Sequence, residues 1–124
     1  MEISTKVEGN IRWHIVKGVI NIDELTEYLK KIYSSQDFDS NMNVFWNLYG
    51  ADFSLVTAED IFHFKDYVGA HWGKDGKSKA ALVVPNQVGY GMSRIYEIMM
   101  ESDFPSSIEV FKDIDKAREW IEAD

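Results

Sequence analysis

Short runs rich in β-branched and aromatic residues alternate with longer amphipathic runs along the chain, and this alternation most constrains the fold. Two β-like runs come first. Helices and strands then alternate until a final helix. Strands that alternate with helices form a mostly parallel sheet with right-handed crossovers. We therefore predict an α/β fold with a five-stranded mixed, mostly parallel sheet and four helices.

Turn and capping residues mark the ends of these elements. The "EGN" segment predicts a hairpin, because Gly9 and Asn10 can both take positive φ. Two glycines in "QVGYGM" lead us to expect a third helix that begins late, at Tyr90. Residues suited to capping precede three of the helices: Asn21, Thr57 and Asp113.

Two apolar runs are predicted to be central strands. In "MNVFWNLY", Val44, Trp46 and Leu48 share one face and Phe45 lies on the other. The run "AALVV" is apolar on both faces, which is typical of a strand covered by helices on both sides. Leu82 and Val84 should therefore contact one helical layer, and Ala81 and Val83 the other.

Length and composition exclude several classes of protein. A chain of 124 residues predicts a single domain, 1–124, and 45% hydrophobic residues suffice for a packed core. We expect no membrane span, because the chain has no apolar stretch of the required length. The net charge of -8 argues against nucleic acid as a partner. The absence of cysteine and of a signal-like N-terminus favours the cytoplasm.

The C-terminal half resembles a known family in two segments, "KAALVVPNQVGYGMSRIYEIMM" and "EVFKDIDKAREWI". These segments are similar to the SpoIIAA-like family, small α/β domains related to the anti-sigma factor antagonists (STAS domains) and likened to CRAL-TRIO folds. The resemblance implies the five-stranded sheet with four helices predicted above. It implies little about activity, because a fold does not fix a function.

The same resemblance draws attention to the junction that follows the third strand. In the anti-sigma factor antagonists, an aspartate and a "DSSG" motif carry a phosphorylated serine there. This chain has Asn47 near the aspartate position and lacks "DSSG", and its nearest hydroxyls are Ser54 and Thr57. Two carboxylates in the first helical turn would repel a phosphate. We therefore predict an ordinary capped helix start and no phospho-switch.

Two glycine-rich segments invite a phosphate-binding interpretation. "GKDGKS" lacks the first glycine of a P-loop and opens a strand, so we reject it. "GYGMSR" lacks the third glycine of a dinucleotide fingerprint. Tyr90, Gly91 and Arg94 could still bind a small anion at a helix start. The alternative is that Arg94 pairs with Glu97 or Glu101 on its own helix.

The histidines do not form a recognisable catalytic or metal-binding set. His63 and His71 lie eight residues apart, whereas zinc on one helix needs a spacing of four. His14 lies on the hairpin, and the serines have no activating neighbour. We expect no metal, no cofactor and no catalytic residue, and hence a protein that is not an enzyme.

The second and third helices carry more apolar side chains than one buried stripe needs. Phe64 and Tyr67 on the second helix, and Ile98 and Met100 on the third, lie outside the stripes that we assign. Surplus apolar surface marks an interface or a ligand groove. Three explanations stay open: a homodimer interface, a pocket for a small apolar ligand, or ordinary burial with a different helix phase.

The favoured hypothesis is a non-enzymatic SpoIIAA-like regulatory or interaction module that acts as a homodimer, with a possible protein partner. The alternative is a binder of a small apolar or lipid-like ligand in a groove between the second and third helices.

Overall fold

The computed structural model describes residues 1–71, 78–84, 86–103 and 107–123. Five strands are present in these ranges: β1 (Glu2–Glu8), β2 (Ile11–Val19), β3 (Asn43–Asp52), β4 (Lys79–Val83) and β5 (Ser107–Phe111). Four helices accompany them: α1 (Ile22–Tyr33), α2 (Ala58–Gly69), α3 (Gln87–Asp103) and α4 (Ile114–Glu122). The sequence run "AEDIFHFKDYVGAHW" predicts a second helix that extends to Trp72, and this residue lies outside the described residues.

The strands form one sheet in the order β1-β2-β3-β4-β5. β1 runs antiparallel to β2, and every other neighbouring pair is parallel. The predicted five-stranded mixed sheet with four helices is therefore confirmed. Gly9 has a φ of 63° in the β1–β2 turn, as the first central residue of a type II′ turn requires. Asn10, which could also take positive φ, does not do so, and the predicted hairpin is confirmed.

The sheet separates two apolar cores of unequal size. Val44, Trp46 and Leu48 pack in the larger core, together with buried residues of α1, α2 and α3. Phe45 packs in the smaller core with Ala117 and Ile121 of α4. The predicted alternation along β3 is confirmed. The same holds for β4, where Leu82 and Val84 face the larger core and Ala81 and Val83 the smaller one.

The predicted caps of α1, α2 and α4 are present. Asn21 Oδ1 accepts a hydrogen bond from Glu24 N, and Asp113 Oδ1 accepts one from Asp115 N. The third helix does not begin late, because α3 already starts at Gln87. Asn86 Oδ1 accepts a 2.7 Å hydrogen bond from Gly89 N and so caps this earlier turn.

The apolar stripes that we assigned to α2 and α3 are correct only in part, and two expected interface residues lie in the core. Phe64 is buried between Ile61 and Val68, with helical spacings of three and four, whereas Phe62 is exposed. Met100 lies four residues after buried Tyr96 and is itself fully buried. Phe64 and Met100 therefore cannot form an exposed interface. For these two residues, burial with a different helix phase is the explanation that holds.

An apolar pocket beneath three helices

An apolar cavity of about 50 Å³ lies between the larger face of the sheet and helices α1, α2 and α3. Strands contribute Trp46, Leu48 and Leu82, and the connecting segments contribute Ile20, Phe53 and Val56. The helices supply the remaining lining residues: Ile22, Leu25, Ile61, Phe64, Met92, Ser93 and Tyr96. The cavity lies toward the carboxyl ends of β2, β3 and β4, where open α/β sheets usually bind ligands.

The junction between β3 and α2 forms one side of this cavity. Ser54 N donates a 2.8 Å hydrogen bond to Asp52 Oδ1, and this bond lowers the pKa of the Asp52 carboxyl. Val56 N donates to Phe53 O, which closes the turn. The turn brings the side chains of Phe53 and Val56 into the core and leaves Leu55 exposed.

Thr57 begins α2 with a reciprocal capping box. Asp60 N donates to Thr57 Oγ1, and Thr57 N donates to Asp60 Oδ2, each at 3.0 Å. Two backbone donors of the helix start are thereby satisfied by the chain itself. The predicted cap is confirmed. The absence of a phospho-switch at Ser54 or Thr57 stays a prediction.

Gly89 fixes the distance between the start of α3 and this junction. A Cβ at residue 89 would lie 3.0 Å from a ring carbon of Phe53 and 3.1 Å from Asn86 Oδ1. A side chain at this position would push Phe53 or Asn86 back by a few tenths of an ångström, so glycine favours the close approach of the helix to Phe53. By contrast, a Cβ at Gly91 would meet no atom within 4 Å. The first glycine of "GYG" is therefore a packing residue that shapes the cavity.

Tyr90, Gly91 and Arg94 do not line the cavity. Arg94 forms an ion pair with Glu97, as the alternative sequence interpretation expected. Lys112 Nζ lies 4.8 Å from the ring centroid of Tyr90. Burial raises the pKa of the Glu97 carboxyl, and the charge of Arg94 partly offsets this effect. The arginine thus has an anionic partner within its own helix, which leaves little support for an anion site.

The lining of the cavity is almost entirely apolar, with one notable polar group. Ser93 is 2% exposed, and its Oγ is fully buried without a hydrogen-bond partner among the described residues. Tyr96 packs against Phe64, with ring centroids 5.9 Å apart. Burial raises the pKa of the Tyr96 phenol far above its ordinary value, so the ring stays neutral. Among the described residues, no charged side chain lines the cavity.

A buried polar network near β2 was not predicted from the sequence. Arg12 Nε donates to His14 Nε2 at 3.2 Å, and His14 Nδ1 lies 2.8 Å from Thr5 Oγ1. The Thr5 hydroxyl in turn lies 2.7 Å from Tyr28 Oη. Burial, aided by the charge of Arg12, lowers the pKa of His14 to about 3. The period-two alternation of "IRWHIV" was the available signal, since it places Arg12 and His14 on the face of buried Val16.

The remaining predicted positions are dispersed. His63 is exposed and lies 3.5 Å from Glu59, and His71 stacks on Tyr33 with centroids 4.3 Å apart. Within residues 1–71, 78–84, 86–103 and 107–123, no cluster of His, Asp or Glu is suited to a metal ion. Tyr67 is half-buried, and Ile98 is 58% exposed. "GKDGKS" lies outside the described residues except for Ser78.

None of the described helices is long and apolar enough to cross a membrane.

The fold defined by this sheet and its helices is SpoIIAA-like. The structure is similar to the crystal structure of an uncharacterized protein of the DUF3478 family, described as having a SpoIIAA-like fold, from Shewanella loihica PV-4. The TM-score is 0.61 and the sequence identity 14%, and the match covers 97% of this chain and 92% of the other. The predicted resemblance is therefore confirmed at the level of the fold.

No protein-family model matches the chain, and no curated protein matches it.

Proposed function

We propose that this protein is a non-enzymatic binding module that takes up a small apolar ligand in the cavity beneath α1, α2 and α3. The observation that carries the proposal is the cavity itself, which the sheet and three helices line almost entirely with apolar side chains. Ligand pockets in proteins have this character, with a few polar groups that set orientation. The alternative site expected from the sequence lies between the second and third helices, and the cavity lies beside both.

Burial of Phe64 favours this function over the dimer that the sequence analysis preferred. Phe64 was one of four residues assigned to an interface, and it lines the cavity instead. Met100 is fully buried as well. Two of the four proposed interface residues are therefore unavailable to a partner, and one of the two surplus apolar residues of α2, Phe64, lines the cavity.

The absence of catalysis is part of the same proposal. His14 is the one buried histidine among the described residues, and both of its ring nitrogens are engaged by Arg12 and Thr5. A histidine held in this way has no free nitrogen with which to move a proton of a substrate. A cytoplasmic location and a regulatory role complete the proposed function, and both rest on the sequence arguments given above.

Native mass spectrometry of the freshly purified protein tests this function. We expect a population that is heavier than the bare chain and loses the added mass on denaturation. Met92→Trp should fill part of the cavity and abolish retention of the ligand. Ile98→Trp is the matched control, because Ile98 lies on the same helix, is 58% exposed and does not line the cavity. Equal retention by both variants would contradict the proposed site.

A second candidate function is a homodimeric interaction module that uses the opposite face of the sheet. Among the described helices only α4 packs in the smaller core there, and Ile15, Tyr49 and Ile114 on this side are 41%, 59% and 36% exposed. We call these residues, with neighbouring Lys6, Glu8 and Arg118, the open sheet face. It carries both signs of charge beside apolar side chains, so a second copy related by a twofold axis could be complementary to it.

A further inference from the structure

The hydroxyl of Ser93 is a buried polar group that the fold leaves without a partner. A serine inside a helix commonly returns its hydrogen bond to the carbonyl of the preceding turn. Ser93 makes no such bond, although it is 2% exposed and its Oγ is inaccessible to solvent. Unsatisfied buried hydroxyls are rare and call for an explanation. The apolar cavity that this residue lines offers one.

Two other buried polar atoms lack partners in the described part of the chain, and neither shares this setting. Ser78 Oγ is buried but does not line the cavity. Trp13 Nε1 lies on the opposite side of the sheet, where its half-buried ring packs against Phe45. Ser93 alone among the three combines an unpartnered hydroxyl with an apolar cavity under the helices.

The absence of charged side chains from the described lining restricts which ligands the cavity can bind. The residues around the cavity are apolar apart from the Ser93 hydroxyl, the indole N–H of Trp46 and the phenol of Tyr96, which burial keeps neutral. A charged ligand would lose its hydration without gaining a counter-ion, which is strongly unfavourable. A neutral molecule with one hydrogen-bonding group would satisfy Ser93 and leave its apolar remainder in contact with apolar side chains.

We propose that the ligand of this pocket is a small neutral apolar molecule whose single hydroxyl or carbonyl group forms a hydrogen bond with Ser93 Oγ. This inference rests on the proposed function and specifies its ligand class. A cavity of about 50 Å³ holds roughly four water-sized spheres, whereas benzene fills an engineered apolar cavity of roughly 150 Å³, so a ligand with a ring enters only when the helices move apart.

Phenol and toluene test the inference, because they have nearly the same shape and differ in one hydroxyl. The full chain, labelled with ¹⁵N, is titrated with each compound, and amide shifts near the cavity are followed by NMR. We expect both compounds to bind. Ser93→Ala should lower the affinity for phenol about tenfold, which corresponds to one lost hydrogen bond. The affinity for toluene should stay the same or rise.

Two further variants control for effects on folding. Ser78→Ala removes a second buried, unpartnered hydroxyl that lies outside the cavity, and it should leave both affinities unchanged. Ser93→Cys keeps nearly the same volume but offers only a weak donor and acceptor. It should therefore reduce the ratio of phenol to toluene affinity in the same direction as Ser93→Ala. This ratio would not respond to a purely structural role of Ser93.

The outcomes separate this inference from the proposed function. If both compounds bind but their affinity ratio is the same in wild type and Ser93→Ala, the pocket stands and the role of Ser93 is overturned. If neither compound shifts the resonances near the cavity, the proposed function fails and this inference fails with it. Benzoate should not bind, and benzoate binding as tight as that of phenol would overturn the neutral ligand class.

Discussion

At the residue scale, single atoms decide which positions tolerate change. Gly89 and Gly91 lie two residues apart in one helix, yet their surroundings are opposite. The sequence marked both as a reason for a late helix start, and it marked Gly91 also as part of a possible anion site. The structure instead gives Gly89 a packing role that depends on Phe53, a residue distant in sequence. Local patterns could not reveal this role, because contacts between distant segments are not encoded in residue spacing.

We predict that Gly89→Ala lowers the free energy of unfolding by roughly 1–3 kcal/mol, because its Cβ would crowd Phe53 and Asn86. Gly91→Ala should raise it by about 0.5–1 kcal/mol, since alanine is the better helix former and the space is open. Urea denaturation followed by tryptophan fluorescence measures both. Equal effects of the two substitutions would contradict the close approach at Gly89.

The buried histidine makes stability depend on pH. The pKa of His14 falls from 6.5 to about 3 on folding, so between these values the unfolded chain binds more protons than the folded one. The contribution of His14 is thus fully present above pH 6.5 and is lost as pH falls toward 3. We expect a slope of roughly 1 kcal/mol per pH unit between pH 6 and 4 from this group.

His14→Gln isolates that slope, because glutamine does not titrate. The variant should be less stable than wild type at pH 7.5, and the difference should shrink by about 1 kcal/mol at pH 5.5. Comparison of the two proteins removes the contribution of Glu97, whose raised pKa acts in the opposite sense. A difference that is constant with pH would show that His14 titrates normally in the folded protein.

At the element scale, the alternation of strands and helices was sufficient to predict the fold. Strand faces followed from period two, and three helix starts followed from their caps. The helix phases did not follow, because α2 carries phenylalanine at positions 62 and 64 and α3 carries apolar residues on several sides. Periodicity cannot assign a buried face when apolar residues occupy adjacent faces. The sequence located the cavity only to the neighbourhood of the second and third helices, because its lining comes from many separate segments.

Substitutions on α2 test the corrected phase. Phe64→Glu should prevent folding, because it places a carboxylate in the core without a partner. Phe62→Glu should fold normally, since Phe62 is 47% exposed and Lys65 Nζ lies 4.6 Å from its ring. Circular dichroism and thermal denaturation distinguish them. Equal stabilities of the two variants would contradict the corrected phase, and a less stable Phe62→Glu would restore the phase that the sequence suggested.

At the scale of the whole molecule, each face of the sheet is the basis of one of the two proposed functions. The covered face encloses the cavity, and the open sheet face is available to a second copy. Composition limited the possible functions of the whole molecule only broadly. It predicted one acidic domain and argued against nucleic acid as a partner. Neither function could be chosen from the sequence, because the choice depends on which apolar residues are exposed.

Light scattering tests the dimer. If the open sheet face is an interface, the wild type should show about twice the chain mass at micromolar concentration. Ile15→Lys combined with Tyr49→Glu should give a folded monomer, whereas Phe62→Glu, on a helix that packs over the other face, should leave the mass unchanged. A wild type that stays monomeric at high concentration would leave ligand binding as the only proposed function.

The strand order has a consequence for how the chain folds. Every strand pairs with its neighbours in sequence, so the sheet can grow by one strand at a time from the β1–β2 hairpin. Connections of the same hand along such a sheet place α1, α2 and α3 on one side. The other side acquires its helix only with α4, which follows the last strand. During synthesis on the ribosome, Phe45 and Val83 therefore stay exposed until the end, and this surface is where a nascent chain would need a chaperone.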